Sequence, residues 1–147
     1  MENSFCPPER IEQLKKFTSD LDYSSFALIY KASVDGYGGE DFHKKCDGKK
    51  KIVVLIKANN YIFGGYTKTC FKSRGDLVKG KESFIFSLSN PENRPLKMKC
   101  VKPKESIDDT RKDGPCFGYN DIKIGNNSNQ NEESFSEIEG SYVGNKK

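Results

Sequence analysis

The sequence lacks the features that mark membrane and secreted proteins. Its 147 residues contain no apolar run near the roughly 18 residues that a membrane span requires. The N-terminal residues have neither the basic start nor the apolar middle of a signal peptide. These absences argue against an integral membrane or secreted protein and predict a cytoplasmic one. Mitochondrial residence stays open, because import signals can be cryptic.

Histidine and closely spaced cysteines are also scarce. The five cysteines are odd in number and far apart, unlike a disulfide framework, which fits a reducing compartment. No CxxC pair occurs, and the lone histidine, His43, lies three residues before Cys46. Because this spacing lacks the further ligands of a zinc centre, we predict no metal and no cofactor. Buried structural cysteines are favoured over a redox site at His43, Cys46, Cys70 or Cys116, since a reactive thiolate needs an activating environment.

Basic residues are present in excess, but only in the middle of the chain. The net charge of +4 is too small to indicate a nucleic-acid partner by itself. Residues 44–81 contain 11 basic and two acidic residues, whereas residues 1–43 contain four basic and eight acidic ones. No stacking or groove-reading motif accompanies the basic segment, so we do not expect nucleic-acid binding.

Five lysines in this segment are candidates for binding a protein partner. Three of them, at positions 49–51, also fit a solvated strand entrance that lysines protect from edge pairing. The five candidates are Lys44, Lys45, Lys49, Lys50 and Lys51.

Length and periodicity predict one domain over residues 1–147. Its 10 phenylalanines and seven tyrosines supply enough apolar surface for a core. A proline pair opens a short amphipathic helix in the N-terminal helical segment 1–20. A second short helix over residues 40–46 points Phe42 and Cys46 inward together. Residues 125–141 are rich in Asn and Glu and predict a flexible loop.

Apolar runs bounded by Gly, Pro and Asn predict several short strands. Residues 51–57 and 61–66 are separated by a polar turn and predict a hairpin, whereas residues 103–113 are polar and predict a loop. The pattern indicates a mainly β fold with helices (α+β), an antiparallel two-sheet β-sandwich flanked by short helices. The predicted strands are residues 26–32, 51–57, 61–66, 83–89, 96–101 and 121–124.

Two glycine motifs have mainly structural interpretations. Gly64 and Gly65 lie between two aromatics inside a predicted strand, which favours a bulge or a close backbone contact. They lack the Lys-Ser/Thr that follows in a phosphate-binding loop. Residues 114–118 predict a rigid turn with an aromatic plug rather than a catalytic loop. Asp35 and Gly36 predict a turn whose carboxylate is available to a partner.

Taken in order, these motifs resemble the TLDc domain, the module shared by oxidation resistance proteins, nuclear receptor coactivator relatives and several multidomain proteins. The resemblance extends from about Leu14 to Tyr142. The motif residues are Asp35, Gly36, Phe42, His43, Cys46, Asp47, Phe63, Gly64, Gly65, Tyr66, Gly114, Pro115, Phe117, Gly118 and Asp121.

The resemblance implies a non-enzymatic protein-interaction domain without catalytic residues. Its implied role is oxidative-stress protection or regulation of the vacuolar proton-pumping ATPase, through that enzyme's cytosolic subunits and without insertion into the membrane. This would place the protein in the cytoplasm, at the cytosolic face of acidic organelles.

The end of the chain departs from the family pattern. Family members usually finish with a strand of alternating acidic and apolar residues, which residues 141–147 do not match. The final strand is therefore predicted to be missing, which would leave a sheet edge open to a partner. The alternatives to a regulatory domain are a structural subunit completed by a partner's strand and a cysteine-dependent redox enzyme.

Overall fold

Two antiparallel β-sheets face each other across an apolar core, with helices at their margins. This architecture, seen in a computed structural model, confirms the predicted sandwich. The structure describes residues 6–18, 21, 26–58, 60–80, 82–118, 121–130, 134 and 142–144. The helices are α1 (Pro8–Phe17), α2 (Ala32–Asp35) and α3 (Gly39–Cys46), with a 3-10 turn at Pro103–Glu105.

The two sheets have five and four strands among the described residues. The larger has the order β1-β2-β4-β5-β9, formed by β1 (Ile52–Ala58), β2 (Tyr61–Thr67), β4 (Phe84–Ser89), β5 (Leu96–Cys100) and β9 (Tyr142–Gly144). The smaller has the order β3-β6-β7-β8, formed by β3 (Leu77–Val78), β6 (Ile107–Asp108), β7 (Cys116–Phe117) and β8 (Ile122–Lys123).

The β1–β2 hairpin confirms the hairpin predicted from the sequence. Asn60 closes its turn with a φ of 68°, a left-handed conformation that asparagine tolerates. Pairing of Val53 with Tyr66 and of Val54 with Gly65 sends successive side chains to opposite faces of the sheet. One face therefore packs against α1, and the other packs against the smaller sheet.

The core between the sheets depends on a close contact at the Gly-Gly motif. Gly65 faces the ring of Phe117 so closely that a Cβ at residue 65 would lie 2.7 Å from the ring carbons. Phe117 is fully buried between the sheets. A register shift beside Phe63, between β2 and β4, adds the irregularity that the sequence also predicted for this strand.

Helix α1 closes the outer face of the larger sheet. Ile11 and Leu14 are buried against Phe84 and Phe86, which confirms the predicted amphipathic helix. Full burial of a leucine such as Leu14 contributes about 1.5–3 kcal/mol. The outer face of the larger sheet is therefore also buried where α1 covers it.

The predicted buried strand over residues 26–32 is wrong. Leu28 is 78% exposed, and the segment has no place in either sheet. The Lys31 N–H instead donates to Asp35 Oδ2 at 2.8 Å, so α2 begins where the strand was expected to end. Tyr30 packs edge-on against Phe42, and its hydroxyl donates to the Gly36 carbonyl at 2.6 Å. The hydrogen bonds of Tyr30 and Lys31, together with the contact between Tyr30 and Phe42, therefore fix the end of this segment.

The sequence analysis did not predict β9, a strand of three residues. It pairs with β5, placing Tyr142 opposite Cys100. Because β9 lacks the alternating acidic and apolar residues of the family's final strand, the absence of that strand stays a prediction. Tyr142 is fully buried, its hydroxyl donates to the Ser106 carbonyl at 2.5 Å, and its N–H donates to Asp121 Oδ2 at 3.0 Å. One buried tyrosine with these bonds holds a strand of three residues, which is too short to show periodicity in the sequence.

Two loop predictions have different outcomes. Residues 103–113 are not only a loop, because they contain the 3-10 turn and β6, where Ile107 is fully buried. Within the predicted flexible segment 125–141, residues 126–130 form turns. Residues 131–133 and 135–141 lie outside the described residues, so flexibility there stays a prediction.

Replacement of Gly65 by alanine should destabilise the sandwich, because the new methyl group would collide with the Phe117 ring. We expect a loss of about 1–3 kcal/mol in the free energy of unfolding, measured by urea denaturation. The double variant Gly65→Ala/Phe117→Leu should lose less than the sum of the two single variants. Strictly additive losses would show that the two positions do not interact.

Candidate functional site

Helix α3 brings three motif residues to one buried face. Phe42, His43 and Cys46 are spaced so that they share the inward side of a helix, and all three are buried. The helix begins at Gly39, whose N–H donates to Asn126 Oδ1 at 2.9 Å, and the preceding Gly38 N–H donates to Asp41 Oδ2 at 2.9 Å. These caps satisfy donors that the first turn leaves free.

His43 joins α3 to two loops. Its Nδ1 lies 2.6 Å from Asp47 Oδ1, and its Nε2 lies 3.0 Å from the Asp113 carbonyl oxygen. The Ser73 hydroxyl donates to the second oxygen of Asp47 at 2.6 Å. Phe42 and Phe71 pack edge-on against the imidazole, which is only 5% exposed. The ring is therefore enclosed on its faces and occupied at both nitrogens.

Both ring nitrogens of His43 face oxygen atoms. Nε2 faces the Asp113 carbonyl, which can only accept a hydrogen bond, and Nδ1 faces a carboxylate oxygen of Asp47. The two contacts hold the ring in one orientation, so the imidazole links α3 to the two loops.

The carboxylate of Asp109 organises the loop of residues 72–74, which contacts Asp47 through Ser73. Asp109 is fully buried and accepts the backbone N–H groups of Lys72, Ser73 and Arg74 at 2.9–3.1 Å. The Arg74 guanidinium adds a charge-assisted bond of 2.9 Å. Asp109 therefore fixes the loop that presents Ser73 to Asp47. The sequence analysis missed both residues, because no local pattern distinguishes them from ordinary loop residues.

His43, Asp47 and Asp109 also have the residue types of a metal site. One ligand atom from each lies within 4.8 Å of the others. The oxygens of Asp109 are, however, already bound by N–H donors, and both His43 nitrogens contact oxygen atoms. A cation here would have to displace those bonds and lie near the Arg74 guanidinium. The donor set fits a structural network better than a metal centre.

The cysteines near this network have the properties of buried thiols. Burial, with the nearby Asp47 and Asp35 carboxylates, raises the pKa of Cys46 to about 12. Burial, with Asp113 and Asp108, likewise raises the pKa of Cys116 to about 12. His43 directs its two nitrogens elsewhere, so its contacts do not supply the base that the redox alternative requires.

A comparison with protein-family models identifies the chain. The model of the TLDc domain matches residues 2–147. The chain belongs to the TLDc domain family. A search of curated proteins and a search of solved structures each gave no match. The matched residues include β9.

The motif of residues 114–118 and Asp121 supports the smaller sheet of this TLDc domain. The Gly114 N–H donates to the Ile124 carbonyl at 2.8 Å. Gly118 adopts a φ of 67°, and its N–H donates to the Ser106 carbonyl at 3.0 Å. Asp121 is fully buried and accepts the N–H at the start of β9. These contacts belong to the scaffold and do not form an open site.

The five lysine candidates of the TLDc domain surround the turn between α3 and β1, and we call them the lysine cluster. All five are exposed. The turn is held by the Gly48 N–H, which donates to the Phe71 carbonyl at 2.8 Å, and by the Lys49 N–H, which donates to the Cys46 carbonyl at 3.1 Å. Among the described residues only Lys45 of the cluster has an ion-pair partner, Asp35 at 4.0 Å. The lysine cluster is a group of exposed positive charges that a protein partner could contact.

One cavity of about 280 Å³ opens between the sheets near the hairpin turn. Phe63, Ile85, Met98 and Ile122 contribute apolar walls, and Tyr61, Ser87 and Ser89 contribute hydroxyl groups. Among the described residues that line it there is no carboxylate, histidine, cysteine or lysine, so the lining supplies no base to activate a serine hydroxyl. In the described part of the chain, no helix combines the length and apolar character of a membrane span.

Replacement of Asp109 by asparagine should strongly destabilise the domain. The asparagine amide would turn N–H donors toward the backbone N–H groups that the carboxylate now accepts and would leave Arg74 without its anion. We expect a loss of about 3 kcal/mol, measured by urea denaturation. Asp76→Asn, at an exposed carboxylate nearby, is the matched control and should change stability by about 0.5 kcal/mol or less. Equal effects at the two positions would contradict the role assigned to Asp109.

The thiols of Cys46 and Cys116 should resist alkylation in the folded protein. With a pKa of about 12, the thiolate fraction at pH 8 is about one in ten thousand. The alkylation rate should rise about tenfold per pH unit while the thiol remains the major form. Iodoacetamide labelling read by peptide mass spectrometry measures this, with the denatured chain as control. Rapid labelling of either residue at pH 7 in the folded protein would favour the redox alternative.

Proposed function

We propose that this TLDc domain is a non-enzymatic regulatory module that binds the cytosolic sector of the vacuolar proton-pumping ATPase. The observation that carries this proposal is membership in the TLDc family across the whole chain. Oxidative-stress protection is the cellular outcome that we assign to it. The proposed location is the cytosolic face of acidic organelles, where that sector is exposed.

The lysine cluster supports a partner with an acidic surface. Its five positive charges lie around one turn, exposed to solvent, and only one has a described ion-pair partner. Charges of one sign on a surface raise the rate of encounter with an oppositely charged surface and help to fix orientation. Added salt should weaken this term, because the Debye length falls to about 8 Å at physiological ionic strength.

The internal chemistry of the domain supports a binding role over an enzymatic one. The hydrogen bonds of His43 and Asp47 are used to hold α3 against two loops. The raised pKa values of Cys46 and Cys116 disfavour the thiolate that a redox enzyme needs. Serine hydroxyls line the cavity, but none of its described lining residues is a histidine, carboxylate or lysine that could act as their base. These features give no specific support to the alternative of a cysteine-dependent enzyme.

The alternative of a structural subunit rests on a missing last strand. In the structure, β9 already pairs with β5, so β5 has no free edge for a partner's strand. We therefore favour a regulatory domain over a subunit that a partner completes at β5.

Binding to the purified cytosolic sector of the vacuolar ATPase tests the proposal. We expect direct binding by biolayer interferometry, a change in ATP hydrolysis on addition of the domain, and weaker binding as salt is raised. The variant Lys49→Glu/Lys50→Glu/Lys51→Glu should weaken binding about tenfold or more. Absence of binding by the wild-type domain at low salt would overturn the proposal.

A matched variant separates the lysine cluster from net charge. Lys102→Glu/Lys104→Glu/Lys112→Glu makes the same change in total charge at exposed positions elsewhere. It should retain most of the affinity if the cluster is the contact surface. Equal weakening by both variants would show that binding depends on overall charge and would contradict the assigned surface.

A further inference from the structure

Strand β1 forms one edge of the larger sheet. It pairs with β2 over all seven of its residues, and no other described strand lies beside it. In an antiparallel sheet, alternate residues of an edge strand turn their N–H and C=O groups away from the neighbouring strand. Such groups form a template on which a further strand can pair.

The position of Val54 shows which residues face outward. A Cβ at Gly64 would lie 1.8 Å from the Val54 carbonyl oxygen, so that carbonyl points toward β2. Because both backbone groups of a strand residue point to the same side, the neighbouring residues face the other way. Val53, Leu55 and Lys57 therefore present their N–H and C=O groups at the outer edge.

The strand has few of the devices that block edge pairing. It contains no proline, and its register with β2 is continuous. Its four central side chains, at residues 53–56, are only half-buried. Within residues 48–58, the residues that can protect the edge are four lysines, and no acidic residue accompanies them. A long apolar edge flanked only by positive charges repels basic strands but can still pair with acidic ones.

We propose that β1 accepts an extended segment of a protein partner as an additional strand, and that this segment has an apolar centre flanked by Asp or Glu. The proposal deepens the proposed function, on which it rests, by naming the element of the partner that is bound. Backbone hydrogen bonds to Val53, Leu55 and Lys57 supply affinity. Carboxylates beside the lysines at both ends of β1 supply register and partner choice.

A second copy of this chain is a poor occupant of the same edge. Pairing two β1 strands in either direction would bring two sets of these lysines together with no carboxylate from residues 48–58 to offset them. Like charges placed opposite each other destabilise strand pairing. Charge complementarity thus selects an acidic segment from another protein.

The direct test uses the full chain and a synthetic probe. The probe is an acetylated peptide of about five alternating threonine and valine residues flanked on both sides by glutamates. Amide exchange followed by NMR should show that the peptide slows exchange at Val53, Leu55 and Lys57, whereas Val54 and Ile56, which face β2, change little. Binding without this alternating pattern would overturn the proposal.

A chemical control leaves the protein unchanged. The same peptide, methylated at the backbone nitrogens of alternate residues, keeps its charge and nearly all of its apolar surface but loses donors on one side. Two such peptides are made, one for each alternating set of backbone nitrogens. Only one set faces β1, so the peptide methylated at that set loses its donors to β1 and should bind about tenfold more weakly than the other. Equal affinity of both methylated peptides and the parent would show that strand pairing does not occur.

A protein variant provides an independent readout. Leu55→Pro removes an outward N–H, at the kind of edge position where proline is tolerated, and should weaken peptide binding about tenfold. Leu55→Val retains the N–H and should bind as the wild type does. Thermal unfolding verifies that each variant is folded, and the methylated peptides decide the question if Leu55→Pro does not fold.

Two further outcomes separate this inference from the proposed function. If the methylated peptides bind like the parent while the vacuolar ATPase sector still binds the domain, the strand site is wrong and the proposed function stands. If the peptide pairs with β1 but the ATPase sector does not bind, the edge site stands and the partner was wrongly assigned. A dimer that forms through β1, detected by sedimentation velocity and removed by Leu55→Pro, would overturn the choice of occupant.

Discussion

The contact between the buried His43 and the half-buried Asp47 is the constraint on which the arrangement of the domain's surface depends. It holds the last turn of α3 against the loops that contain Ser73 and Asp113. With the inner side of α3 fixed in this way, Lys44 and Lys45 remain outside, and the turn after the helix leads directly into β1.

Asp109 extends this constraint to the smaller sheet. The carboxylate orders three successive backbone N–H groups and lies directly after β6. A buried charge is tolerated only where its hydrogen bonds are complete, so the loop has little freedom to adopt another path. The position of Ser73 beside Asp47 therefore depends on Asp109, which follows β6 and is distant from Ser73 in the sequence.

Longer strands bounded by turn residues could be predicted from the sequence, whereas very short ones could not. The hairpin of β1 and β2 and the pair of β4 and β5 are formed by strands of five to seven residues, long enough to stand out as apolar or alternating runs. Strands of two or three residues, such as β3, β6 and β9, carry no period, and long-range contacts such as that of Tyr142 with Ser106 stabilise them. Residues 26–32 have strand-forming side chains, but a bond to Asp35 directs the end of that segment into α2 instead.

In the candidate site, too, residues that are close in sequence could be predicted, whereas their partners from distant segments could not. His43, Cys46 and Asp47 could be selected because they lie close together in a recognisable motif, and the lysine cluster could be selected from charge counts. Ser73, Asp109 and Asp113 could not, since their roles arise only when three separate segments meet. A single sequence identifies the members of a motif more readily than the partners that hold it in place.

The lysines around β1 have a consequence before the domain is folded. The apolar residues 52–56 form a run of β-branched and aliphatic side chains, a composition that promotes cross-β aggregation when it is exposed in an unfolded chain. Charged residues that flank such a run act as gatekeepers, because assembly of many chains would stack their charges at each end. The nascent polypeptide therefore carries, beside this apolar segment, the charges that keep neighbouring copies apart until β2 pairs with it.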